Sequence, residues 1–267
     1  MLSRFLILTC FSLPAFYSFS QKNKISKKVP PGTVKVNDTL FVDETEISNL
    51  HWREYLFYLE KFDSTSIEKA LPDTSVWRNT VSETLTGYYL RQPSFNNYPV
   101  VGISYEQAVV FCQWRSDRVN ELNSKKPENE RSFKKITYRL LSKQEWESIA
   151  AGKLSVEKYP YGCDSVYTKW NGRTYMKSFN CKFLSDPFVY HHWGAEEQIT
   201  TPINAFFRNS SHTYNMIGNV AEMVSEKGIA KGGSFDHTLE ECKIINDQYY
   251  TKPERWLGFR CVAIVVR

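Results

Sequence analysis

The segment "NMIGNVAEMVSEKGIAKGGSF", Asn215–Phe235, decides the architecture of the C-terminal half of this 267-residue chain. Short apolar runs alternate with glycines in it, which is typical of short strands joined by tight turns. The same pattern continues to the terminal "WLGFRCVAIVVR", Trp256–Arg267. The first half of the chain carries helix signals instead, so the sequence predicts the α+β class in one domain.

Two segments of the first half begin with capping boxes. In "SYEQAVVFCQW" the box is formed by Ser104 and Gln107, and in "SKQEWESIAAG" by Ser142 and Glu145. Gly152 follows the second segment as a stop signal. Both patterns predict amphipathic helices.

The remaining segments give weaker signals. "TVKVNDTLFVDETEI" predicts a hairpin around Asn37–Asp38, and the helix after it has Ser48 or Asn49 as its N-cap. "YPVVGIS", residues 98–104, predicts a short strand. Residues 154–207 show little periodicity, and so long an irregular region is usually functional or held by ligands, disulfides or metals.

Composition narrows the function classes. The formal net charge is +5, and the basic residues are mixed with Asp and Glu throughout. This distribution indicates a solvated surface and argues against a nucleic-acid partner. After the first twenty residues no run is long enough to span a membrane, so no transmembrane helix is expected in the mature chain.

The N-terminus has the layout of a secretory signal, with Arg4 before an apolar run and Ser20 at the cleavage position. We expect a signal peptide at 1–20, a flexible lead-in at 21–32, a domain at 33–267, and export to the periplasm or the extracellular space. A short buried helix is the alternative. Acylation of Cys10 is disfavoured because it leaves an apolar run of only about five residues.

Cleavage would leave an odd number of cysteines, in a compartment that favours disulfides. They are Cys112, Cys163, Cys181, Cys242 and Cys261. Two disulfides would therefore leave one thiol over.

Four stretches occur in an order that points to a known family: "FVDETEISNLHWREYL", "YPVVGISYEQAVVFCQW", "YRLLSKQEWESIAAG" and "NMIGNVAEM…IAKGGSF…LGFRCV". Over about Thr33–Arg267 the chain resembles the formylglycine-generating enzymes, or sulfatase-modifying factors. The resemblance implies a compact, largely irregular α+β domain related to C-type lectin folds. It also implies oxidation of a sulfatase cysteine to formylglycine with oxygen and copper(I).

The family binds copper through two cysteines, five residues apart, just after the GGSF-type motif. This chain has His237 and Cys242 at those positions, with Ser234 in the motif itself. The tryptophan of the family pattern is replaced by Ala221, and the next aromatic position is Met223. Copper(I) prefers thiolates, although imidazole also suits copper. We expect lost or altered activity, with a thiol near the floor of a surface pocket; the choice between a surface histidine and a Cys–His copper site stays open.

The resemblance also implies a disulfide between Cys112 and Cys261. Cys163 and Cys181 then remain in the irregular region, where a staple is useful, and we predict that they pair. Cys242 is left over.

A calcium site is implied for "NMIGNVAE", with ligands from the side chains of Asn215 and Glu222 and the carbonyls of Gly218 and Val220. Calcium takes six to eight oxygen ligands, so four would need supplementing. The alternative is a glycine turn with Glu222 in a salt bridge.

Two functions follow. The first is an exported, non-catalytic binding or scaffold module with a lectin-like pocket, calcium bound, and a protein, peptide or glycan ligand. The alternative is a formylglycine-generating oxidase with an altered Cys–His copper site, and only this alternative needs copper(I). The state of His237 and Cys242 distinguishes the two.

Overall fold

The structure, a computed structural model, describes residues 29–80, 83–170, 174–182 and 199–266. The predicted signal peptide, Cys10 and most of the lead-in lie outside the described residues. The α-helices are α1 Asn49–Phe62, α2 Ile67–Ala70, α3 Leu85–Tyr88, α4 Tyr105–Ser124 and α5 Lys143–Ala151. The strands are β1 Thr33–Lys35, β2 Leu40–Asp43, β3 Lys135–Leu140, β4 Tyr167–Trp170, β5 Thr174–Lys177, β6 Ala221–Met223, β7 Ile229–Lys231, β8 Asp247–Tyr249, β9 Leu257–Gly258 and β10 Cys261–Val266.

Two sheets organise these strands. The first is antiparallel with the order β1-β2-β10-β3, and it places the C-terminal strand between the predicted N-terminal hairpin and β3. The second has the order β8-β7-β6-β9, with β6 and β9 parallel. β4 and β5 form a separate hairpin within residues 154–207, the region with little periodicity in its sequence.

The helix starts are those that the sequence predicts. The Ser104 and Ser142 hydroxyls accept from the backbone N–H groups of Gln107 and Glu145, and both capping boxes are complete. Ser48 is the N-cap of α1. Gly152 ends α5 with a φ of 60°, a conformation that favours glycine. The expected α+β class is confirmed.

The short strand predicted at residues 98–104 does not form. This segment makes one isolated bridge, between Ser48 and Pro99, and the Val100 N–H donates to the Ile47 carbonyl at 2.8 Å. Proline has no N–H to offer a ladder, which limits pairing at this position.

An aromatic cluster joins the two sheets and the long helices. The Trp52 ring stacks on Phe111 with centroids 5.3 Å apart, and Phe259 meets both rings edge-on. Phe41 and Ala263 of the first sheet lie in the same buried cluster as residues of the second. Helices and sheets therefore share a core. None of the described helices is long and apolar enough to cross a membrane.

Two of the predicted disulfide partners lie against each other in this core. Cys112 of α4 and Cys261 of β10 are buried, and their sulfurs are 3.4 Å apart as thiols. The bond between them stays a prediction. Cys163 and Cys181 lie elsewhere: Cys163 is partly exposed and donates to the Ser165 carbonyl at 2.9 Å, whereas Cys181 is buried.

Candidate functional site

The loop after β7 forms the centre of the candidate site. Two consecutive glycines, Gly232 and Gly233, have positive φ angles of 89° and 64°. A Cβ atom on Gly233 would lie 2.2 Å from the Cys242 sulfur. Only glycine leaves room for that sulfur, so the GGSF-type motif and Cys242 are parts of one packed unit.

The Cys242 thiol is buried beneath this loop. It is 0% exposed, and its sulfur lies 3.9 Å from the His237 carbonyl oxygen. Burial, with a smaller contribution from nearby Cys181, raises the pKa of the Cys242 thiol far above its ordinary value. The thiol therefore loses its proton less readily than an ordinary cysteine does. Because copper(I) binds the thiolate, this environment disfavours the metal.

His237 lies at the protein surface above the loop. Its Nδ1 atom is 2.7 Å from the Ser234 hydroxyl, and its ring meets Trp256 edge-on with centroids 4.9 Å apart. Burial lowers the pKa of His237, although Glu241 and Asp236 oppose this shift. A neutral ring with Nδ1 occupied has only Nε2 left for a ligand.

His237 and Trp256 border a surface pocket of about 450 Å³. We call it the site pocket, and its lining residues are His237, Glu241, Asn246, Asp247, Gln248, Tyr249 and Trp256. Cys242 is not among them. The structure thus places His237 in the pocket wall, whereas the Cys242 thiol is buried and outside the lining.

A buried lysine supports the pocket from beneath. Lys231 is 0% exposed, and its ammonium group lies 2.9 Å from Asp247 and 2.7 Å from Glu147. Lys143 approaches the other oxygen of Asp247 at 2.6 Å. Hydrogen bonds from both lysines hold the pKa of Asp247 below its usual range although burial opposes them. Asp247 therefore offers the pocket a carboxylate that is already charged and paired.

The predicted calcium segment leads into β6, where Glu222 is the cross-strand partner of Lys231. The Glu222 carboxylate is 1% exposed and forms a two-point ion pair with Arg260, at 2.5 and 2.7 Å. The Trp146 indole N–H donates to the same carboxylate at 2.8 Å. The salt bridge that the sequence left open as an alternative role of Glu222 is therefore present.

A second buried carboxylate lies beside this pair. Glu46 is 0% exposed and accepts hydrogen bonds from Asn219 at 2.8 Å and Asn215 at 3.2 Å. Burial raises the pKa of Glu46, the Arg260 charge opposes this shift, and Glu222 adds to it. The side-chain oxygen of Asn215 is buried and has no hydrogen-bond partner among the described residues.

This arrangement partly fits a calcium ion. The unpaired Asn215 oxygen is a suitable ligand, whereas both oxygens of Glu222 already accept hydrogen bonds from Arg260. An ion here would have to share Glu222 with Arg260. Within the described ranges, no three His, Cys, Asp or Glu side chains are grouped so as to hold a metal.

Sequence reasoning missed the fully buried charged residues Glu46, Lys231 and Arg260 of these networks. Their partners are distant along the chain, as for Glu46 with Asn219. The only available signal was the charge itself, inside segments that otherwise read as buried strand or turn.

Comparison with known proteins identifies a family to which the sequence is similar. The family model described as "Sulfatase-modifying factor enzyme 1-like domain" matches residues 15–265. Formylglycine-generating enzymes of Thermomonospora curvata and Mus musculus are each 28% identical to the chain over 131 residues, which is 49% of it. The match covers 34% and 28% of those relatives, so the chain aligns with about a third of their length.

A solved structure supports the same fold. Treponema denticola variable protein 1 superposes with a TM-score of 0.51 at 14% identity, over 89% of this chain and 92% of that one. At this identity the likeness concerns the fold alone.

Proposed function

We propose that this chain, which belongs to the sulfatase-modifying factor family, is a non-catalytic member that binds its ligand in the site pocket. The observation that carries the proposal is the position of Cys242. The thiol is fully buried under Gly233 and absent from the pocket lining. The first of the two family copper positions is His237, whose Nδ1 contacts Ser234. An oxidase of this family type needs a thiolate that its metal and substrate can reach.

The oxidase assay tests the proposal directly. Incubated with a cysteine-containing sulfatase peptide, copper(I) and oxygen, the protein should yield no formylglycine by mass spectrometry. The Thermomonospora curvata enzyme serves as the positive control. Formylglycine that disappears in Cys242→Ser would instead establish the Cys–His copper site.

The pocket lining favours a polar ligand with a flat apolar face. Tyr249 is 74% exposed at its rim, and Trp256 lies in its wall. Asn246 and Glu241 supply an amide and a carboxylate group. Such a combination suits peptides and glycans, in which polar groups accompany surfaces that stack on aromatic rings. Export of the chain remains part of this proposal.

Tyr249 should dominate ligand binding. We expect Tyr249→Ala to weaken binding of any hit from glycan and peptide arrays by about tenfold or more, as exposed aromatic anchors do. Tyr88→Ala is the matched control, because Tyr88 is 53% exposed outside the pocket lining. Equal losses of ligand affinity in both variants would contradict binding in the site pocket.

Calcium binding by Asn215, Gly218, Val220 and Glu222 also remains a proposal, supported by the unpaired Asn215 oxygen. Calcium at about ten times its dissociation constant should raise the melting temperature by about 3–6 °C. Magnesium, which demands a tighter octahedral shell, should not. Asn215→Ala should abolish the rise. If calcium does not change the melting temperature of the wild type, the calcium site is contradicted and the role of Glu222 is its ion pair with Arg260.

A further inference from the structure

Two cysteines from distant parts of the chain share one buried cluster. Cys181 follows the β4–β5 hairpin and is 2% exposed, and Cys242 at the end of the site loop is 0% exposed. Both belong to the buried cluster that also contains Met216 and Ile244. Neither sulfur can be reached from solvent without local opening.

Backbone contacts bring the two residues together. The Lys182 N–H donates to the His237 carbonyl at 2.7 Å, and Lys182 pairs with Thr238 in a parallel bridge. The Cys242 sulfur lies 3.9 Å from that same His237 carbonyl. The residue before Lys182 is thus held beside the turn that presents Cys242.

A second anchor fixes the other side of Cys181. Asn180 pairs with Gly218, and the Asn219 N–H donates to the Asn180 carbonyl at 2.7 Å. The Gly218 N–H in turn donates to Gly232, next to the glycine that covers the Cys242 sulfur. The electrostatic influence of Cys181 on the Cys242 thiol agrees with this proximity.

We propose that Cys181 and Cys242 form a disulfide in the oxidised protein, and that Cys163 is the cysteine left over. This pairing replaces the predicted Cys163–Cys181 bond, since a cysteine can form only one. Cys163 contacts Ser165 and lines a separate pocket with Tyr161 and Asp164. The proposal is independent of the ligand proposed for the site pocket.

The oxidation requires an external disulfide, for which glutathione disulfide serves. One cysteine thiolate attacks it, forms a mixed disulfide and releases glutathione. The second cysteine then displaces the other glutathione, so two protein thiols become one disulfide and two glutathiones are formed. Because both sulfurs are buried, the exchange takes place during folding. Once bonded, Cys242 is unavailable to copper.

The test is a peptide map of the full-length chain, refolded from the reduced state in a mixture of glutathione and glutathione disulfide. Remaining thiols are blocked in denaturant before trypsin is added. Cleavage after Lys and Arg places Cys181 in Ser178–Lys182, Cys242 in Gly232–Lys243 and Cys163 in Tyr159–Lys169. We expect Ser178–Lys182 linked to Gly232–Lys243, and Tyr159–Lys169 blocked. The same map shows whether Cys112 is linked to Cys261.

Three variants sharpen the result. Cys163→Ser should leave the link intact, whereas Cys242→Ser should leave Cys181 blocked. Reduction should lower the melting temperature of the wild type by about 5–15 °C more than that of Cys242→Ser or Cys181→Ser. A link between Cys163 and Cys181, or a blocked Cys181 in the refolded wild type, overturns the proposal.

Discussion

Replacement of Arg260 by methionine should lower the free energy of unfolding by about 3–5 kcal/mol. Arg260 is 0% exposed and holds the Glu222 carboxylate at two points. Its remaining N–H groups donate to the carbonyls of Tyr214 at 2.7 Å and Asp43 at 3.1 Å. Methionine fills a similar volume but leaves these acceptors unpaired.

The expected loss is large because the Glu222 carboxylate would remain buried without its partner. Glu46 lies beside it, and burial already raises the pKa of Glu46 to about 8 although the Arg260 charge opposes this shift. A buried ion pair broken at one partner leaves an uncompensated charge, which costs far more than the pair contributes. The variant should therefore unfold at lower urea concentration, with the slope of the transition unchanged.

Matched variants separate burial from charge. Arg208→Met removes a half-exposed arginine paired with Glu44 at 2.6 Å, and it should cost at most about 1 kcal/mol. Arg260→Lys keeps the charge but loses the two-point geometry, so its effect should lie between those two. Urea unfolding followed by circular dichroism, with EDTA present, measures all three. Equal losses for the Arg208 and Arg260 methionine variants would contradict the assigned role of the buried pair.

The parts of the fold that the sequence predicts correctly are those set by local patterns. Ser104, Ser142 and Gly152 mark helix ends because caps act over three or four residues, and the structure has each of them in its predicted role. The strand predicted at residues 98–104 was wrong. The apolar residues of this segment are buried, as they would be in a strand, but Pro99 limits its pairing with a neighbouring strand. Apolar runs of that length indicate burial more reliably than conformation.

The candidate site was predictable only in its residue types. The sequence identified Cys242 and His237, but burial of the thiol depends on packing across Gly233, which no spacing reveals. The partner of Glu222 is Arg260, 38 positions away, and it lies between β9 and β10 in a segment that reads as apolar. Long-range contacts of this kind are set by the fold and leave no local period in the sequence.

Alanine at Gly233 should be the most disruptive change at the candidate site, lowering the free energy of unfolding by about 3 kcal/mol or more. Two effects combine. The φ of 64° is unfavourable for a residue with a Cβ, and that Cβ would lie 2.2 Å from the Cys242 sulfur. The neighbour is a buried side chain in a packed cluster, so it cannot simply turn away.

Gly32→Ala provides the control for the backbone effect alone. Gly32 has a φ of 71°, but no atom lies within 4 Å of its Cβ position, so alanine there should cost about 1 kcal/mol. In a Gly233→Ala, Cys242→Ala double variant the sulfur is gone. The free energy of unfolding lost in this double variant should therefore be smaller than the sum of the losses in the two single variants. Urea titrations of the four variants, including Cys242→Ala, give this coupling. Strict additivity would mean that Gly233 does not hold the space that the Cys242 sulfur occupies.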